Sequence, residues 1–233
     1  MSIKKHIPNA ITCCNLFSGC VACVMAFSGK FESAMLFIVL GAVFDFFDGM
    51  VARLLGVSSP LGVQMDSLAD DVTFGLAPAT VIFSFMKLLD YPEFLGDVAK
   101  ALPYFAFLIA VFSACRLAKF NIDTRQTTSF IGLPTPANAL FWSSLIVGGE
   151  KWLLETENSW ILILALIFLF SYFLVSEIPM FSMKFKNLSW KSNKTRYIFL
   201  LGSLPMFILG YLAPVAIISW YLVFSVISSK RKI

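Results

Sequence analysis

The sequence predicts an all-α polytopic membrane protein, a bundle of about eight transmembrane helices, and three observations support this fold class. Hydrophobic residues make up 58% of the 233 residues and charged residues only 14%, whereas the apolar share of soluble domains is about 45–50%. The apolar runs continue for helix lengths, unlike the short alternating strands of a membrane barrel. The formal charge of +4 is small, so the composition also excludes nucleic-acid-binding and disordered proteins.

Eight apolar runs lie between charged or Pro/Gly breaks, and each is a candidate helix. Gly210 and Pro214 separate the last two runs, in the order typical of a helix end followed by a helix start. The five cysteines lie in or beside these runs, and we interpret them as small buried residues. No internal repeat or change of composition divides the chain, so we expect one integral-membrane domain over residues 1–233. The predicted helices cover residues 10–28, 33–52, 67–89, 102–120, 136–149, 160–178, 197–212 and 213–228.

Eight crossings would place both termini on one face of the membrane, and the basic residues sort strongly by face. All but four of the 18 lysines and arginines fall on the face of the N terminus. By the positive-inside rule this face is cytoplasmic, and we expect the protein in the cell membrane. Lys4 and Lys5 precede an apolar run, as in a signal peptide, but polar residues within 8–15 favour a retained helix. The four exceptions are Lys30, Lys87, Lys100 and Lys151.

Five aspartates interrupt the second and third apolar runs near the face expected to be cytoplasmic. A carboxylate in the membrane costs about 2.5–3.5 kcal/mol unless it faces a bundle interior or a wet cavity, so these residues are functional candidates. Asp45 and Asp48 have a spacing of three. Asp66 and Asp70 have a spacing of four, and Asp71 follows directly. Each spaced pair therefore shares one helix face.

The residues between the two pairs predict a helical hairpin. Gly56 and Pro60 break the helix, with two serines between them, and the two carboxylate pairs would then face each other. Four carboxylates in a confined site need a compensating cation. Oxygen ligands favour Mg²⁺, Mn²⁺ or Ca²⁺. Two alternatives remain open, since the acids could instead pair with Arg53 or line the proton path of an ion transporter.

The segment 45–70 resembles the signature of the CDP-alcohol phosphotransferase family at every fixed position. The matching string is Asp45-x2-Asp48-Gly49-x2-Ala52-Arg53-x8-Gly62-x3-Asp66-x3-Asp70. The resemblance implies a core of six membrane helices, here with two more, and a homodimer. It also implies a lipid donor activated by CDP, namely CDP-diacylglycerol.

The resemblance further implies roles for the four spaced aspartates. Asp45, Asp48 and Asp66 would hold two divalent ions, Mg²⁺ or Mn²⁺. Asp70 would also lie at the metal site and would act as the base that deprotonates the acceptor alcohol. Asp71 lies outside the signature, and we interpret it as a neighbouring solvated or capping acid.

Six residues are candidates for binding the nucleotide of the donor. Small residues on the second helix leave space for a nucleotide to approach the backbone, although close helix packing is an alternative role for them. Capping of the first helix by Asn9 is an alternative there. The candidates are Asn9, Thr12, Gly49, Ala52, Arg53 and Gly62.

The acceptor is indicated by two further strings, 114–121 and 130–137. They resemble the phosphatidylserine synthase branch of the family, which implies L-serine as acceptor. The carboxylate of a free amino acid needs a cation, and Arg116 or Lys119 could supply it, assisted by Asn121 or Arg125. The alternative is that Arg116 and Lys119 are interfacial anchors. Within the family the second interpretation is a phosphatidylglycerophosphate synthase, which would use glycerol 3-phosphate.

Overall fold

The computed structural model describes residues 6–123, 130–180 and 189–230. A π-helical turn, Asp71–Leu76, joins α3 to α4, while 3₁₀ segments, Leu102–Phe107 and Leu204–Leu212, join α5 to α6 and α9 to α10. A further 3₁₀ turn covers Glu93–Leu95. The α-helices of the described residues are α1 His6–Phe27, α2 Phe31–Leu55, α3 Pro60–Asp70, α4 Ala77–Met86, α5 Val98–Ala101, α6 Leu108–Ile122, α7 Thr135–Glu155, α8 Ser159–Val175, α9 Trp190–Ser203 and α10 Ala213–Lys230.

Two short strands accompany the helices. Strand β1, Phe130–Ile131, pairs antiparallel with β2, Pro179–Met180, so that Ile131 lies opposite Pro179. This pair connects the start of α7 to the segment after α8. It is a small addition to a helical bundle, and the predicted all-α polytopic class is confirmed.

Five helical stretches of the described residues are long and apolar enough to cross a membrane. They are His6–Phe27, Phe31–Leu55, Pro60–Met86, Val98–Ile122 and Arg196–Ile227, and Ser159–Val175 is a shorter apolar helix. The number of actual crossings stays a prediction.

The last long stretch is folded back on itself. The ring of Phe199 lies 5.9 Å from that of Tyr221 and 6.2 Å from that of Phe224. A Cβ on Gly202 would lie 3.1 Å from Trp220 Nε1, so the later residue of α9 contacts the earlier residue of α10 and the two helices run antiparallel. The backbone reverses at Gly210, which has a φ of 56°. We call residues 190–230 the C-terminal hairpin.

The third helix begins at Pro60, so the predicted start at residue 67 is wrong. The Oγ of Ser59 accepts a hydrogen bond from the backbone N–H of Gly62 at 3.0 Å, and Pro60 occupies the first turn. A serine N-cap followed by proline is a strong helix start. The apolar-run criterion missed it because the first turns of α3 contain polar residues.

Close packing of α1, α2 and the π-helical turn centres on Thr73, which is fully buried. A Cβ on Gly19 of α1 would lie 2.8 Å from the Cα of Thr73, and one on Gly41 of α2 would contact its Cγ2. Small residues therefore let three segments approach each other closely, as in many membrane bundles.

The prediction that the cysteines are buried is wrong. Cys23 is half-buried and the other four, Cys13, Cys14, Cys20 and Cys115, are exposed on helix surfaces; all five are free thiols. In an apolar bundle the outward face meets lipid, so a small apolar side chain is stable there.

The bundle has two distinct ends. At the first, which we call the site end, the amide of Asn121 donates to Ser67 Oγ at 2.9 Å and the N–H of Leu133 donates to Phe173 O at 2.9 Å. At the far end, the rings of Phe31 and Phe85 lie 5.9 Å apart. The four aspartates of the two pairs, together with Asp71, lie toward the site end.

Candidate active site

The α2–α3 hairpin brings carboxylates of its two helices together. Gly56 ends α2 in the left-handed conformation, with a φ of 61°, which glycine adopts without strain. One oxygen each from Asp45, Asp48 and Asp66 can lie within 4.8 Å of one another. Asp48 is buried and the other two are half-buried. The predicted opposition of the two pairs is thus present in the structure.

Asp70 lies beside this group. Its carboxylate is within hydrogen-bonding and electrostatic reach of Asp45 and within electrostatic reach of Asp66. The side-chain amide of Asn15 on α1 donates to Asp70 Oδ1 at 3.1 Å. The amide therefore holds one oxygen of Asp70, and the base role of Asp70 stays a prediction.

Thr12 on α1 contacts the group from another direction. Its Oγ1 donates to Asp48 Oδ2 at 2.6 Å and lies 3.1 Å from the carbonyl of Pro8. The sequence indicated Thr12 as a nucleotide candidate, whereas this hydrogen bond also gives it a role in orienting Asp48.

The three aspartates of the group suit a hard cation. Their donors are all carboxylate oxygens, which Mg²⁺ and similar ions prefer to the nitrogen and sulfur ligands of zinc. Unpaired carboxylates at this separation repel one another, and a bound cation relieves that repulsion. The cluster could therefore hold a metal ion.

A cleft of about 160 Å³ opens next to the aspartates. Five of the six nucleotide candidates line this cleft. The sixth, Arg53, lies outside the lining, and its side chain is exposed near Gly49. A Cβ on Gly62 would lie 3.1 Å from Asn9 Oδ1, so glycine keeps α1 and α3 close here. The lining residues are Pro8, Asn9, Thr12, Asp48, Gly49, Ala52, Val57, Ser58, Ser59, Gly62, Val63 and Asp66.

Arg116 is an acceptor candidate that the structure buries close to Asp70. Its side chain is only 7% exposed, and its Nε is buried without a hydrogen-bond partner among the described residues. The guanidinium lies within electrostatic reach of Asp70 and of Tyr221 on α10. An interfacial anchor would be exposed, so the burial of Arg116 favours a ligand-binding role.

The other acceptor candidates are placed differently. Lys119 forms an ion pair with Glu177 at 3.2 Å. The amide nitrogen of Asn121 donates to Ser67 and ties α6 to α3. Arg125 lies outside the described residues.

Asp71 is only half-buried and lies at the C-cap position of α3, so its interpretation as a solvated or capping acid is confirmed in part. Its Oδ1 is buried without a partner among the described residues. Successive helical residues point about 100° apart because a turn contains 3.6 residues. Asp71 therefore points away from Asp70 and toward α6, where a Cβ on Gly75 would lie 2.8 Å from Asp71 Oδ1 and 3.0 Å from the Cβ of Ser113.

Tyr221 and Ser58 were not predicted as functional residues, whereas the spacing of Asn15 from Asn9 and Thr12 predicted a side chain directed to the bundle interior or the nucleotide pocket. Asn15 contacts Asp70 and Tyr221 neighbours Arg116. Ser58 lines the cleft beside the aspartates. The polar character of Asn15 inside an apolar run is a signal in the sequence, whereas Tyr221 lies in a run of ordinary composition and carries none.

Comparisons with known proteins agree with this site. The family model described as CDP-alcohol phosphatidyltransferase matches residues 5–175. A CDP-diacylglycerol–serine O-phosphatidyltransferase of Helicobacter pylori is 32% identical over 185 residues, covering 78% of this chain and 74% of the relative. Enzymes with the same name are 40% identical over 132 residues in Bacillus subtilis, covering 57% of this chain and 70% of the relative. In Saccharomyces cerevisiae the identity is 35% over 155 residues, covering 58% of this chain and 51% of the relative.

The matched region contains α1 to α8, both carboxylate pairs and Arg116. The C-terminal hairpin lies beyond it. The carboxylate cluster and the adjoining cleft lie within the matched region. Because the family model matches well over half of the chain, the chain belongs to the CDP-alcohol phosphatidyltransferase family.

Proposed function

We propose that the protein is a phosphatidylserine synthase. It transfers the phosphatidyl group of CDP-diacylglycerol to the hydroxyl of L-serine and releases CMP. The observation that carries the proposal is the buried Arg116 beside the carboxylate cluster, since a free amino acid brings a carboxylate that needs a cation. The names of the relatives support the same acceptor.

The carboxylates of Asp45, Asp48 and Asp66 would hold the divalent ions, Mg²⁺ or Mn²⁺, with Asp70 at the edge of the same group. Ions held by these carboxylates would supply positive charge to neutralise the pyrophosphate and stabilise the departing CMP. The cleft beside Gly49, Ala52 and Gly62 would receive the nucleotide.

The side chains of this site suit a direct displacement. The serine oxygen attacks the phosphorus that carries the diacylglycerol, and a new O–P bond forms as the P–O bond to CMP breaks. Asp70 accepts the hydroxyl proton, and the hydrogen bond from Asn15 keeps its carboxylate in place. CMP leaves with the electron pair.

The location and assembly of the protein form part of the proposal. We infer one integral-membrane domain over residues 1–233 in the cell membrane, with both termini and the site end cytoplasmic. Membrane lipids and a second copy of the chain would be its partners.

An acceptor screen tests the proposed function. The purified full chain is supplied with CDP-diacylglycerol and Mg²⁺ or Mn²⁺, and CMP release is measured with L-serine and with glycerol 3-phosphate. We expect release with serine only. Release with glycerol 3-phosphate alone would make the protein a phosphatidylglycerophosphate synthase, and no release with any acceptor would favour the transporter alternative.

The base assignment has its own test. In Asp70→Asn we expect turnover to fall below detection while divalent-ion binding, measured by isothermal titration, stays largely intact, because Asp70 is not one of the three clustered ligands. Loss of the ion from this variant would show that Asp70 is a metal ligand first.

A further inference from the structure

Three buried polar atoms without hydrogen-bond partners lie between the π-helical turn and α6, beside the carboxylate cluster. They are Asp71 Oδ1, Ser113 Oγ and Arg116 Nε, partners being sought among the described residues. Ser113 is fully buried and Arg116 is 7% exposed. Buried polar groups are almost always hydrogen-bonded, so three orphan atoms in one region need an explanation.

The three side chains face one region. Ser113 and Arg116 are three residues apart on α6 and share a helix face. Asp71 faces Ser113 across Gly75, where a Cβ would lie 2.8 Å from the carboxylate oxygen and 3.0 Å from the serine Cβ. Arg116 is also within electrostatic reach of Asp70. A carboxylate, a hydroxyl and a guanidinium thus follow one another along this interface, next to the residue assigned as base.

This sequence of charges complements an amino-acid zwitterion. A carboxylate pairs with the ammonium group and a guanidinium with the carboxylate. An acceptor that carries a phosphate would meet repulsion from Asp71, and an amine without a carboxylate would leave Arg116 unpaired. We propose that Asp71, assisted by Ser113, binds the ammonium group of the acceptor amino acid and so selects a zwitterion. This inference rests on the proposed function.

The test compares acceptors that keep or lack the ammonium group. CMP release by the full chain is measured with L-serine and with 3-hydroxypropanoate, which keeps the hydroxyl and the carboxylate. In Asp71→Asn we expect the KM for serine to rise roughly 10-fold to 100-fold, the effect of losing a charge-assisted hydrogen bond, with kcat within about twofold. The KM for 3-hydroxypropanoate should not rise.

Asp97→Asn is the matched control, because Asp97 is an exposed carboxylate that pairs only locally with Lys100 at the far end. Its kinetics should equal those of the unchanged chain. An unchanged KM for serine in Asp71→Asn would overturn the inference, because it would indicate that the buried atoms bind only ordered water. An equal rise in KM with both acceptors would also overturn it, because it would indicate a structural role for Asp71.

If Asp71→Asn does not fold, Ser113→Ala decides the question. It should raise the KM for serine about 3-fold to 10-fold, the effect of losing a neutral hydrogen bond, and leave 3-hydroxypropanoate unaffected. Equal KM values before and after this substitution would then overturn the inference. Failure of the unchanged chain to use serine at all would instead refute the proposed function, and this inference with it.

Discussion

Two polar side chains of the first helix orient two aspartates of the site. Asn15 donates to Asp70, and Thr12 donates to Asp48. Each hydrogen bond joins residues far apart in the chain, so each depends on the packing of α1 against the α2–α3 hairpin. Because the two aspartates have different proposed roles, removal of the two donors should have different kinetic consequences.

Asn15→Leu removes the donor to Asp70 and keeps the branching and the number of heavy atoms of the side chain. A hydrogen bond to a charged group contributes about 1.5–3 kcal/mol. If Asp70 is the base, we expect kcat to fall roughly 10-fold to 100-fold, because the carboxylate loses its orientation. The metal concentration for half-maximal activity should stay the same. A change in metal requirement with an unchanged kcat would contradict this assignment.

Thr12→Val removes the donor to Asp48 and keeps the shape of the side chain. We expect the metal concentration for half-maximal activity to rise several-fold, because a carboxylate that is not held in place is a poorer ligand. Titration of activity with Mg²⁺ and with Mn²⁺ measures this shift. Asn15→Leu is the companion variant, and identical profiles for the two would show that the helix acts only as a support.

The residues of the cluster could be predicted from the sequence, and their neighbours could not. Spacings of three and four place two side chains on one face of any helix, so Asp45 with Asp48 and Asp66 with Asp70 follow from local geometry. The contact of Asn15 with Asp70 joins residues 55 positions apart, and no local rule gives it. The direction of Asp71 likewise depends on which helix packs against the π-helical turn.

At the scale of the helices, the breaks were easier to predict than the interiors. Gly56 and Gly210 both adopt positive φ values, and the sequence placed a break at each. The π-helical turn Asp71–Leu76 and the 3₁₀ segment Leu102–Phe107 lie inside continuous apolar runs. Hydropathy is the same for all three helix types, so the pattern does not distinguish them.

The contact of α1 with the π-helical turn depends on the absence of a side chain at Gly19. In Gly19→Ala the new Cβ would lie 2.8 Å from the Cα of Thr73, so backbone must move. Overpacking of this kind costs about 1–3 kcal/mol. We expect a lower midpoint of thermal unfolding in detergent, with reduced activity because the displaced turn begins next to Asp70.

Gly149→Ala on α7 is the matched control for Gly19→Ala. Its Cβ would make an ordinary contact, 3.5 Å from Leu153 Cδ1, and alanine favours a helix by about 0.5–1 kcal/mol over glycine. The unfolding midpoint should therefore stay the same or rise. Equal losses in the two variants would mean that helix glycines are needed for another reason than the approach to Thr73.

At the scale of the whole molecule, the distribution of charge and the two ends of the bundle agree. The far end carries Lys100 with Asp97, and the site end carries Arg116 and Lys119. Apolar helices fix only that the chain crosses the membrane, whereas the excess of basic residues at one end decides which end faces the cytoplasm. The proposed orientation places the carboxylate cluster at the inner leaflet, where it would meet its lipid donor.

Labelling with a membrane-impermeant maleimide tests this orientation. In intact cells we expect Asp97→Cys to react, because Asp97 is exposed at the far end, and Arg53→Cys at the site end to react only after lysis. The unchanged chain gives the background labelling of its five native thiols. The opposite pattern would place the cluster on the outer face of the membrane. That result would contradict the proposed orientation, because a nucleotide-activated lipid supplied from inside the cell would not reach the cluster.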